Sequence, residues 1–449
     1  MKLHSDNLLG RGWSLVMLCP DSQAIVDRDR GISGLGTLLD GEALALAVNQ
    51  AVPGLGVRKA ELNYLRYKPG QNCVAQYQLH TLTEIVDVYA KAHGSDAREK
   101  LAKAVVRQTL GATFETGRLF LDTTGIEISA YPDDAKLVTL QKLGNSDDRF
   151  RLLRRLLPTR ENLWHAQLFR LAYKPERRLV MLARGHGEAA VLKFYTRTGF
   201  DRAKLAAQLR LGGNGWQIPN LIGDSRSKAI LAFEFAPGEC LRKRVSETSD
   251  NLPLARQVGL ALAEFHSVPA PANLPVLTGD DRIAELSSAL QQLSWVAPEL
   301  EIRANQVAGT LTGWLRVQKP AFHLVHGDYY DKQILVGQNE LTILDLDRAH
   351  IGDPRIDIST FIAHLIRDVC SGRLDEQHAA AFSRQLIHGY RGVTGSAACA
   401  ELNYMIALAL MHLIHHPFRY AERNWTNGMS RMLTYAEALI HHRSPWLEE

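Results

Sequence analysis

Short runs of alternating apolar and polar residues fill the first half of the chain and predict β-strands. Residues from Glu61 read ELNYLRYKPGQNCVAQYQLHT, and residues from Gln167 read QLFRLAYKPERRLVMLARGHG. In each stretch, two alternating segments flank a proline-centred turn, which is the pattern of a β-hairpin. The letters YKP recur at Tyr67–Pro69 and at Tyr173–Pro175. The chain is therefore expected to contain two similar hairpins.

The order of elements after the two hairpins also repeats. A third strand-like segment with one lysine follows each hairpin, IVDVYAKAH with Lys91 and AAVLKFY with Lys193. A helical pattern comes next, DAREKLAKAVV in the first copy and DRAKLAAQLRL in the second, and more strand-like segments follow. We interpret this order as two small α+β units in tandem.

Long helical patterns replace the alternation after about Glu239, for example PLARQVGLALAEFHSV and ELNYMIALALMHLIHH. They predict a mostly helical C-terminal lobe of roughly two hundred residues, the size of one domain. We therefore divide the 449-residue chain into an N-terminal cap at 1–155, a small β-rich lobe at 156–238 and a helical lobe at 239–449.

Composition narrows the class of protein. Hydrophobic residues make up 46% of the chain and charged residues 22%, which is ordinary for a globular protein, and the formal net charge is only +4. Such a small, evenly spread charge does not favour nucleic acid as a partner, and no protein partner is inferred. No segment resembles a signal peptide or a membrane span. Five widely spaced cysteines predict reduced thiols in a cytoplasmic protein: Cys19, Cys73, Cys240, Cys370 and Cys399.

Acidic residues cluster in the stretch HLVHGDYYDKQILVGQNELTILDLDRAHIGDPRIDIST, which begins at His323. Three short apolar strands there are expected to bring Asp328, Gln333, Asp345 and Asp347 to a common edge. Carboxylates and a carboxamide form the ligand set of a hard divalent cation such as magnesium, with one acid left over as a base. Phosphoryl transfer from a nucleotide needs this arrangement, together with a strand lysine from the opposite lobe.

These motifs resemble those of the aminoglycoside phosphotransferase and choline kinase superfamily, from about Leu168 to the C-terminus. HGDYYDKQ is similar to that family's catalytic loop, ILDLD to its metal-binding strand end, and IGDPRIDIS to the segment that follows. LAFEFAPGECL resembles the hinge between the lobes. The resemblance implies a bilobal, protein-kinase-like α+β fold with a small β-rich lobe and a large helical lobe. The N-terminal unit would be an added cap that looks like a second small lobe.

The resemblance also implies roles for individual residues. Asp328 would be the catalytic base, Gln333 and Asp345 would bind Mg²⁺, and Asp347 would assist with the metal or the acceptor. For ATP, Lys193 would hold the α- and β-phosphates, and the backbone of Glu234, Phe235 and Ala236 would meet the adenine. Asp353 and Asp357 are interpreted as structural, as a helix cap or as an anchor for the loop.

Two features depart from the usual pattern of the superfamily. Gln333 stands where asparagine is usual, which resembles the maltokinase and glucosamine kinase branch and favours a sugar or amino sugar as acceptor. Kinase-like lobes pair the strand lysine with a helix glutamate, but no glutamate lies between Glu188 and Glu234. Asp201 or Glu99 could take its place, and Lys91 competes with Lys193 for the nucleotide.

The predicted function is ATP-dependent phosphorylation of a hydroxyl group on a small molecule, with two alternatives left open. An antibiotic kinase would need acids around a polycation, and Glu422, Glu437, Glu448 and Glu449 are candidates among many histidines and arginines. A nucleotide-binding pseudokinase with a regulatory role would explain the missing helix glutamate. Residues that could line the acceptor pocket are His412, His415, His416, Arg419, Glu422 and Trp425.

Overall fold

The computed structural model describes residues 18–95, 97, 118–247, 251–395, 401–442 and 446–447. The chain divides into two compact units, Met1–Tyr131 and Pro132–Glu449. The boundaries predicted after residues 155 and 238 stay a prediction. Most of the helix predicted at DAREKLAKAVV lies outside the described residues, as do Glu99, Cys399, Glu448 and Glu449.

The first unit contains an antiparallel sheet preceded by short helices. Its strands form the order β1-β2-β3-β5-β4, and helix α3 begins where the Asp40 carboxylate accepts the backbone N–H groups of Glu42 and Ala43. Its described elements are α1 (Pro20–Arg28), α2 (Leu35–Leu39), α3 (Gly41–Ala51), β1 (Lys59–Lys68), β2 (Asn72–His80), β3 (Ile85–His93), β4 (Arg118–Leu121) and β5 (Ile126–Ala130).

The second unit contains a sheet of the same strand order. Its order β6-β7-β8-β12-β11 repeats the first unit's sequence of a hairpin, a third strand and then a returning pair. The elements are α4 (Ser146–Leu156), β6 (Gln167–Lys174), β7 (Arg178–Gly185), β8 (Glu188–Tyr195), α5 (Arg197–Ala207), β9 (Gly212–Gly213), β10 (Trp216–Gln217), β11 (Leu221–Ser225) and β12 (Ile230–Glu234).

A buried aspartate holds the hairpin turn in the first unit. Asp29 accepts the Tyr67 hydroxyl at 2.7 Å and the Gly70 backbone N–H at 2.8 Å. Gly70 has a φ of 67°, in the left-handed region that this turn requires.

The second hairpin is held in the same way. Asp134 accepts the Tyr173 hydroxyl at 2.7 Å and the Glu176 backbone N–H at 2.8 Å. Glu176 has a φ of 55°, so it repeats the backbone conformation of Gly70. The matching strand order and the matching turn anchor support the predicted duplication.

Two further sheets and a set of helices complete the unit. Helix α10 (Arg355–Cys370) is buried on almost every side, as expected of a central core helix. Helices α7 (Leu252–Ser267) and α11 (Glu376–Thr394) approach closely at Gly259 and Gly389. A Cβ at either glycine would lie 2.0 Å from a carbonyl oxygen of the facing helix. The further strands are β13 (Glu239–Cys240), β14 (His323–Val325), β15 (Ile334–Val336), β16 (Leu341–Ile343) and β17 (His350–Gly352). One sheet has the order β13-β15-β16-β10-β9, and the other is the antiparallel pair of β14 and β17.

The remaining elements are helices and form the helical part. This agrees with the mostly helical C-terminal lobe predicted after about Glu239. They are α6 (Leu241–Glu247), α7 (Leu252–Ser267), α8 (Gly279–Val296), α9 (Glu301–Val317), α10 (Arg355–Cys370), α11 (Glu376–Thr394), α12 (Leu402–Leu413), α13 (His416–Arg419) and α14 (Trp425–Ile440). In the part of the chain that the structure describes, no helix is both long enough and apolar enough to cross a membrane.

Asp134→Ala should destabilise the second unit, because four donors converge on its buried carboxylate. Besides Tyr173 and Glu176, the backbone N–H groups of Lys136 and Leu137 donate to it at 2.8 and 2.9 Å. Leaving these groups unsatisfied should lower the free energy of unfolding by about 3 kcal/mol. Urea unfolding followed by tryptophan fluorescence measures this, because six of the seven tryptophans lie after Pro132.

Asp133→Ala is the matched control for that experiment. Its partly exposed carboxylate accepts a hydrogen bond from the side-chain amide of Gln141 at 2.7 Å, so its loss should cost about 1 kcal/mol or less. Equal losses for the two variants would contradict the anchoring role of Asp134.

Candidate active site

The loop after β14 carries Asp328, and a buried aspartate on α10 fixes its backbone. Asp357 accepts the N–H of His326 at 2.7 Å and the N–H of Gly327 at 2.8 Å. His266 on α7 lies 3.0 Å from the same carboxylate. Burial alone would raise the pKa of Asp357, but the hydrogen bond and charge of His266 outweigh it and lower that pKa. The loop therefore rests on an ionised, fully buried anchor, as the sequence interpretation of Asp357 proposed.

Glycine is required at the position before Asp328. Gly327 has a φ of 78°, and a Cβ there would lie 2.5 Å from the carbonyl oxygen of Arg348. A side chain would therefore both strain the backbone and push the loop away from the turn that follows β16.

His326 connects the two segments that carry the acids. Its Nε2 lies 2.8 Å from the carbonyl oxygen of Leu344, next to Asp345, and its Nδ1 lies 3.2 Å from the backbone nitrogen of Asp328. The tautomer that satisfies both contacts is neutral, with the proton on Nε2 donating to Leu344. One buried ring thus fixes the spacing between the Asp328 loop and the Asp345 turn.

Asp345 begins the turn after β16 in a left-handed conformation, with a φ of 64°. This backbone conformation is uncommon for residues other than glycine and is tolerated best by asparagine and aspartate. It brings the carboxylates of Asp345 and Asp347 towards the same side. Both contact cations of the sheet β6-β7-β8-β12-β11, which we call the strand lobe.

Two cations from neighbouring strands contact these carboxylates. The Nζ of Lys193 on β8 lies 2.8 Å from Asp345 Oδ1 and 3.1 Å from Asp347 Oδ1. The Nη1 of Arg178 on β7 lies 2.9 Å from Asp345 Oδ1 and 2.6 Å from Asp347 Oδ2. The hydroxyl of Tyr195 donates to Asp347 at 3.0 Å. The strand lobe and the acidic turn are therefore joined by direct ion pairs.

The charges in this cluster stabilise one another. Burial alone would raise the pKa of Asp345, but Lys193 and Arg178 outweigh it and hold that pKa well below its usual range. Burial alone would lower the pKa of Lys193, but the two carboxylates raise it. Asp345 and Lys193 are therefore both charged near neutral pH.

Asp328 lies in a different electrostatic environment. Burial is the main reason that its pKa is raised above the ordinary value, and the charge of Asp345 adds to the shift. The positive charge of Arg348 opposes it. A carboxylate with a raised pKa is a better proton acceptor than an ordinary aspartate.

Gln333 lies beside Asp345, while the hinge residues take part in other contacts. The Nε2 of Gln333 is 3.5 Å from Asp345 Oδ2. The backbone N–H of Glu234 donates to the carbonyl of Asn220 at 3.0 Å, and the ring of Phe235 lies 5.8 Å from the guanidinium carbon of Arg184.

A cavity of about 900 Å³ brings the acids together. It contains Asp328, Asp345 and Asp347 from the helical part and the turn from Lys174 to Arg178 from the strand lobe. Among the described residues, Glu234, Phe235 and Ala236 do not line it, and Phe235 lines a separate cavity of about 770 Å³.

The sequence of this region matches a known family. Residues 146–395, more than half of the chain, match the model of the phosphotransferase enzyme family. The chain belongs to this family. Membership confirms both the resemblance to the aminoglycoside phosphotransferase superfamily and the predicted enzyme class, a phosphotransferase that acts on a hydroxyl group. No curated protein sequence matches the chain.

Solved structures with a similar fold include choline kinase from Cryptosporidium parvum Iowa II, with a TM-score of 0.50 at 14% identity over 66% of this chain and 96% of that one. This likeness confirms the predicted protein-kinase-like α+β fold. A variant of aminoglycoside 2'-phosphotransferase-IIIa bound to GDP gives a TM-score of 0.48 at 18% identity, covering 66% of this chain and 98% of that one. A thermostable mutant of aminoglycoside phosphotransferase APH(4)-Ia, bound to ADP and hygromycin B, gives a TM-score of 0.46 at 13% identity, covering 63% of this chain and 96% of that one.

In this phosphotransferase, the partners of the strand lysine differ from those considered from the sequence. Asp201 lies 3.3 Å from Arg226 instead, while Lys193 contacts Asp345 and Asp347. Glu99 lies outside the described residues, and Lys91 belongs to the first unit, on β3.

Sequence reasoning missed several residues of the phosphotransferase site. Arg178 and Tyr195 had no motif to mark them, although both are close in sequence to the recognised hairpin and lysine strand. Of the residues proposed for the acceptor pocket, His416, Arg419 and Glu422 line the cavity. Trp425 packs against Phe418 instead, with ring centroids 5.1 Å apart.

Asp357→Asn should destabilise the phosphotransferase, because the buried anchor loses its charge and one of its acceptor positions. We expect the free energy of unfolding to fall by about 3 kcal/mol at pH 7, measured by urea unfolding. Because the folded-state pKa of Asp357 is lowered, its contribution is present above the unfolded pKa of about 4 and is lost as the pH falls through the folded pKa. The gap between wild type and variant should therefore narrow below pH of about 4.

Asp353→Asn provides a matched control on the same segment. Its carboxylate is partly exposed and pairs with Arg355 at 2.7 Å, so the loss should be about 1 kcal/mol or less. A loss at Asp353 as large as the loss at Asp357 would contradict the anchor assignment.

Proposed function

We propose that the protein transfers the γ-phosphoryl group of ATP to a hydroxyl group of a small molecule, with a sugar as the favoured acceptor. One observation carries this proposal: strand-lobe cations Lys193 and Arg178 contact the carboxylates of Asp345 and Asp347 in the cavity that also contains Asp328. Phosphoryl transfer needs positioned cations, metal-binding acids and a base in one water-poor space.

Lys193 and Arg178 are proposed to bind the phosphates of ATP. Both are strand residues with little exposed surface, so their charged ends are well positioned by packing. The turn from Lys174 to Arg178 faces the same cavity and offers further positive charge. For the adenine, the proposed contacts remain the backbone groups of Glu234, Phe235 and Ala236.

Asp345 and Gln333 are suited to hold Mg²⁺, with Asp347 as a further oxygen donor. The carboxylate of Asp345 is kept ionised by its neighbours, and the carboxamide of Gln333 lies beside it at 3.5 Å. Hard oxygen donors of this kind are the ligands that Mg²⁺ prefers. When bound, the ion would offset negative charge on the phosphate oxygens.

Asp328 is proposed to accept the proton of the acceptor hydroxyl. Its loop is fixed by Asp357, and its raised pKa suits a general base. Orientation of the hydroxyl by a fixed carboxylate would favour in-line attack on the γ-phosphoryl group.

The sugar acceptor is supported by Gln333 through its resemblance to the maltokinase and glucosamine kinase branch. Two of the acids considered for a polycationic antibiotic are already paired. Glu422 lies 2.6 Å from Arg367, and Glu437 lies 2.6 Å from Arg303. An antibiotic kinase is therefore less favoured by the described residues.

Asp328→Asn should remove the base while keeping the shape of the side chain. We expect turnover to fall about 100- to 10,000-fold, the range of a lost general base, with the nucleotide dissociation constant changed less than about threefold. ADP release is measured across sugars, sugar phosphates, sugar acids, amino sugars, choline and aminoglycosides, and ATP binding is measured by calorimetry with magnesium.

Asp353→Asn is the control, since Asp353 lies outside the cavity lining among the described residues. Its turnover should remain within about twofold of wild type. Unchanged turnover in Asp328→Asn would overturn the assigned base, and ATP binding without release of ADP for any acceptor would favour the pseudokinase alternative.

A further inference from the structure

We infer that the acceptor carries a negatively charged group, a phosphate or a carboxylate, which the helical part of the cavity binds. This inference rests on the proposed function and specifies its acceptor. The sequence did not choose between sugars and amino sugars as acceptors. This inference favours negatively charged sugar derivatives over amino sugars.

Cations dominate the helical side of the cavity. Apart from Asp328 and the carboxylates of Asp345 and Asp347 that are assigned to the metal, its lining contains one carboxylate, that of Glu422, which pairs with Arg367 and Arg373. The cations on that side come from α6, from the Asp328 loop, from α10 and its C-terminal end, and from α13: Arg242, Lys332, Arg367, Arg373 and Arg419.

Two further carboxylates lie behind these cations, outside the lining of the cavity. Asp331 is 3.1 Å from Arg242, and Asp368 is 2.9 Å from Arg373. Both are buried, with 3% and 5% of their surface exposed. They fix the guanidinium groups of Arg242 and Arg373 from the protein side.

Several polar atoms on the helical side of the cavity are buried without a partner among the described residues. They include the Nε of Arg367 and the Nδ1 atoms of His364 and His416. Arg367 is only 8% exposed and His364 only 6%. The Nε–H of Arg367 can only donate, and a buried donor without an acceptor is costly, so its presence at the cavity indicates a site for an acceptor-rich ligand. Lys332, on the Asp328 loop, forms no ion pair with any described residue.

The electrostatic response of neighbouring groups agrees with an excess of positive charge. Burial lowers the pKa of the His364 imidazole well below its ordinary value, and the positive charges of Arg367 and Arg242 lower it further. Such surroundings repel a polycation and attract an anion.

A wall of rings gives the cavity a flat surface beside these charges. Tyr330 stacks on His364 with ring centroids 4.0 Å apart, and His416 lies 6.0 Å from His364 and 5.5 Å from Tyr420. Flat apolar faces with a few charged groups are typical of sites for small polar molecules.

The phosphates of the nucleotide do not account for the cations on the helical side of the cavity. Lys174, Arg177 and Arg178 face the cavity from the strand lobe, and Lys193 contacts the acids beside them. The helical-side cations are a second set, contributed by other elements. A second anionic group, on the acceptor, is the ligand that this set fits.

The test is calorimetric binding to the full chain saturated with AMP-PNP and magnesium. The probes are inorganic phosphate, glucose 6-phosphate, glucuronate, glucose, glucosamine and an aminoglycoside. Glucose 6-phosphate or glucuronate should bind at least tenfold more tightly than glucose, and the two together distinguish a phosphate from a carboxylate. Inorganic phosphate should bind and compete with the preferred compound.

Lys332→Gln and Arg373→Gln test the cations on the helical side of the cavity, since Lys332 has no ion pair to lose and Arg373 is partly exposed. Each should weaken binding of the anionic probe about tenfold, the loss expected for one charge-assisted contact, while binding of glucose changes less than about twofold. In turnover, KM for the preferred acceptor should rise with little change in kcat. Arg316→Gln, an exposed position on α9, has the same charge change and should leave both unchanged.

Equal or tighter binding of glucose or glucosamine, or no binding of any anionic probe, would overturn this inference. Turnover of a neutral or cationic acceptor that depends on Asp328 would then still support the proposed function. Loss of the proposed function would instead appear as turnover that does not depend on Asp328.

Discussion

The ion pairs between Lys193, Arg178 and the carboxylates of Asp345 and Asp347 are the interaction on which the site depends. They join strands β7 and β8 to the turn after β16, so one small group of contacts positions the cations of one lobe against the acids of the other. Burial makes each charge costly unless the others are present. The same cluster keeps Asp345 ionised and leaves Asp328, outside these pairs, with a raised pKa.

Helices of the helical part fix the loop that carries Asp328. Asp357 on the central helix α10 fixes the backbone before Asp328, and His326 fixes the distance from that loop to Leu344 and Asp345. Close packing of α7 and α11 places His266 and Tyr390 beside the anchor, with the Tyr390 hydroxyl 2.9 Å from His266 Nδ1. The loop geometry is thus a consequence of core packing rather than of the loop sequence alone.

Local patterns allowed part of the fold and site to be predicted. The hairpins and the acidic strand ends are encoded within short stretches, and the order of motifs placed Lys193 before the acids. The turn anchors were not predictable in this way, because Asp29 lies 38 residues before Tyr67 and Asp134 lies 39 residues before Tyr173. Of the cations on the helical side of the cavity, Arg419 was expected from the sequence, but Arg242 and Arg373 were missed because they come from separate segments that only the fold brings together. Arg178 carries no motif, and its role depends on a contact across 167 residues with Asp345.

A double-mutant cycle between Lys193 and Asp345 tests the central interaction most directly. Lys193→Met, Asp345→Asn and the double variant are compared with wild type by the free energy of unfolding in urea. A direct buried pair predicts a coupling energy of about 1–3 kcal/mol, because either single change leaves the other charge without its partner. Additive effects, with a coupling below about 0.3 kcal/mol, would contradict this account of the site.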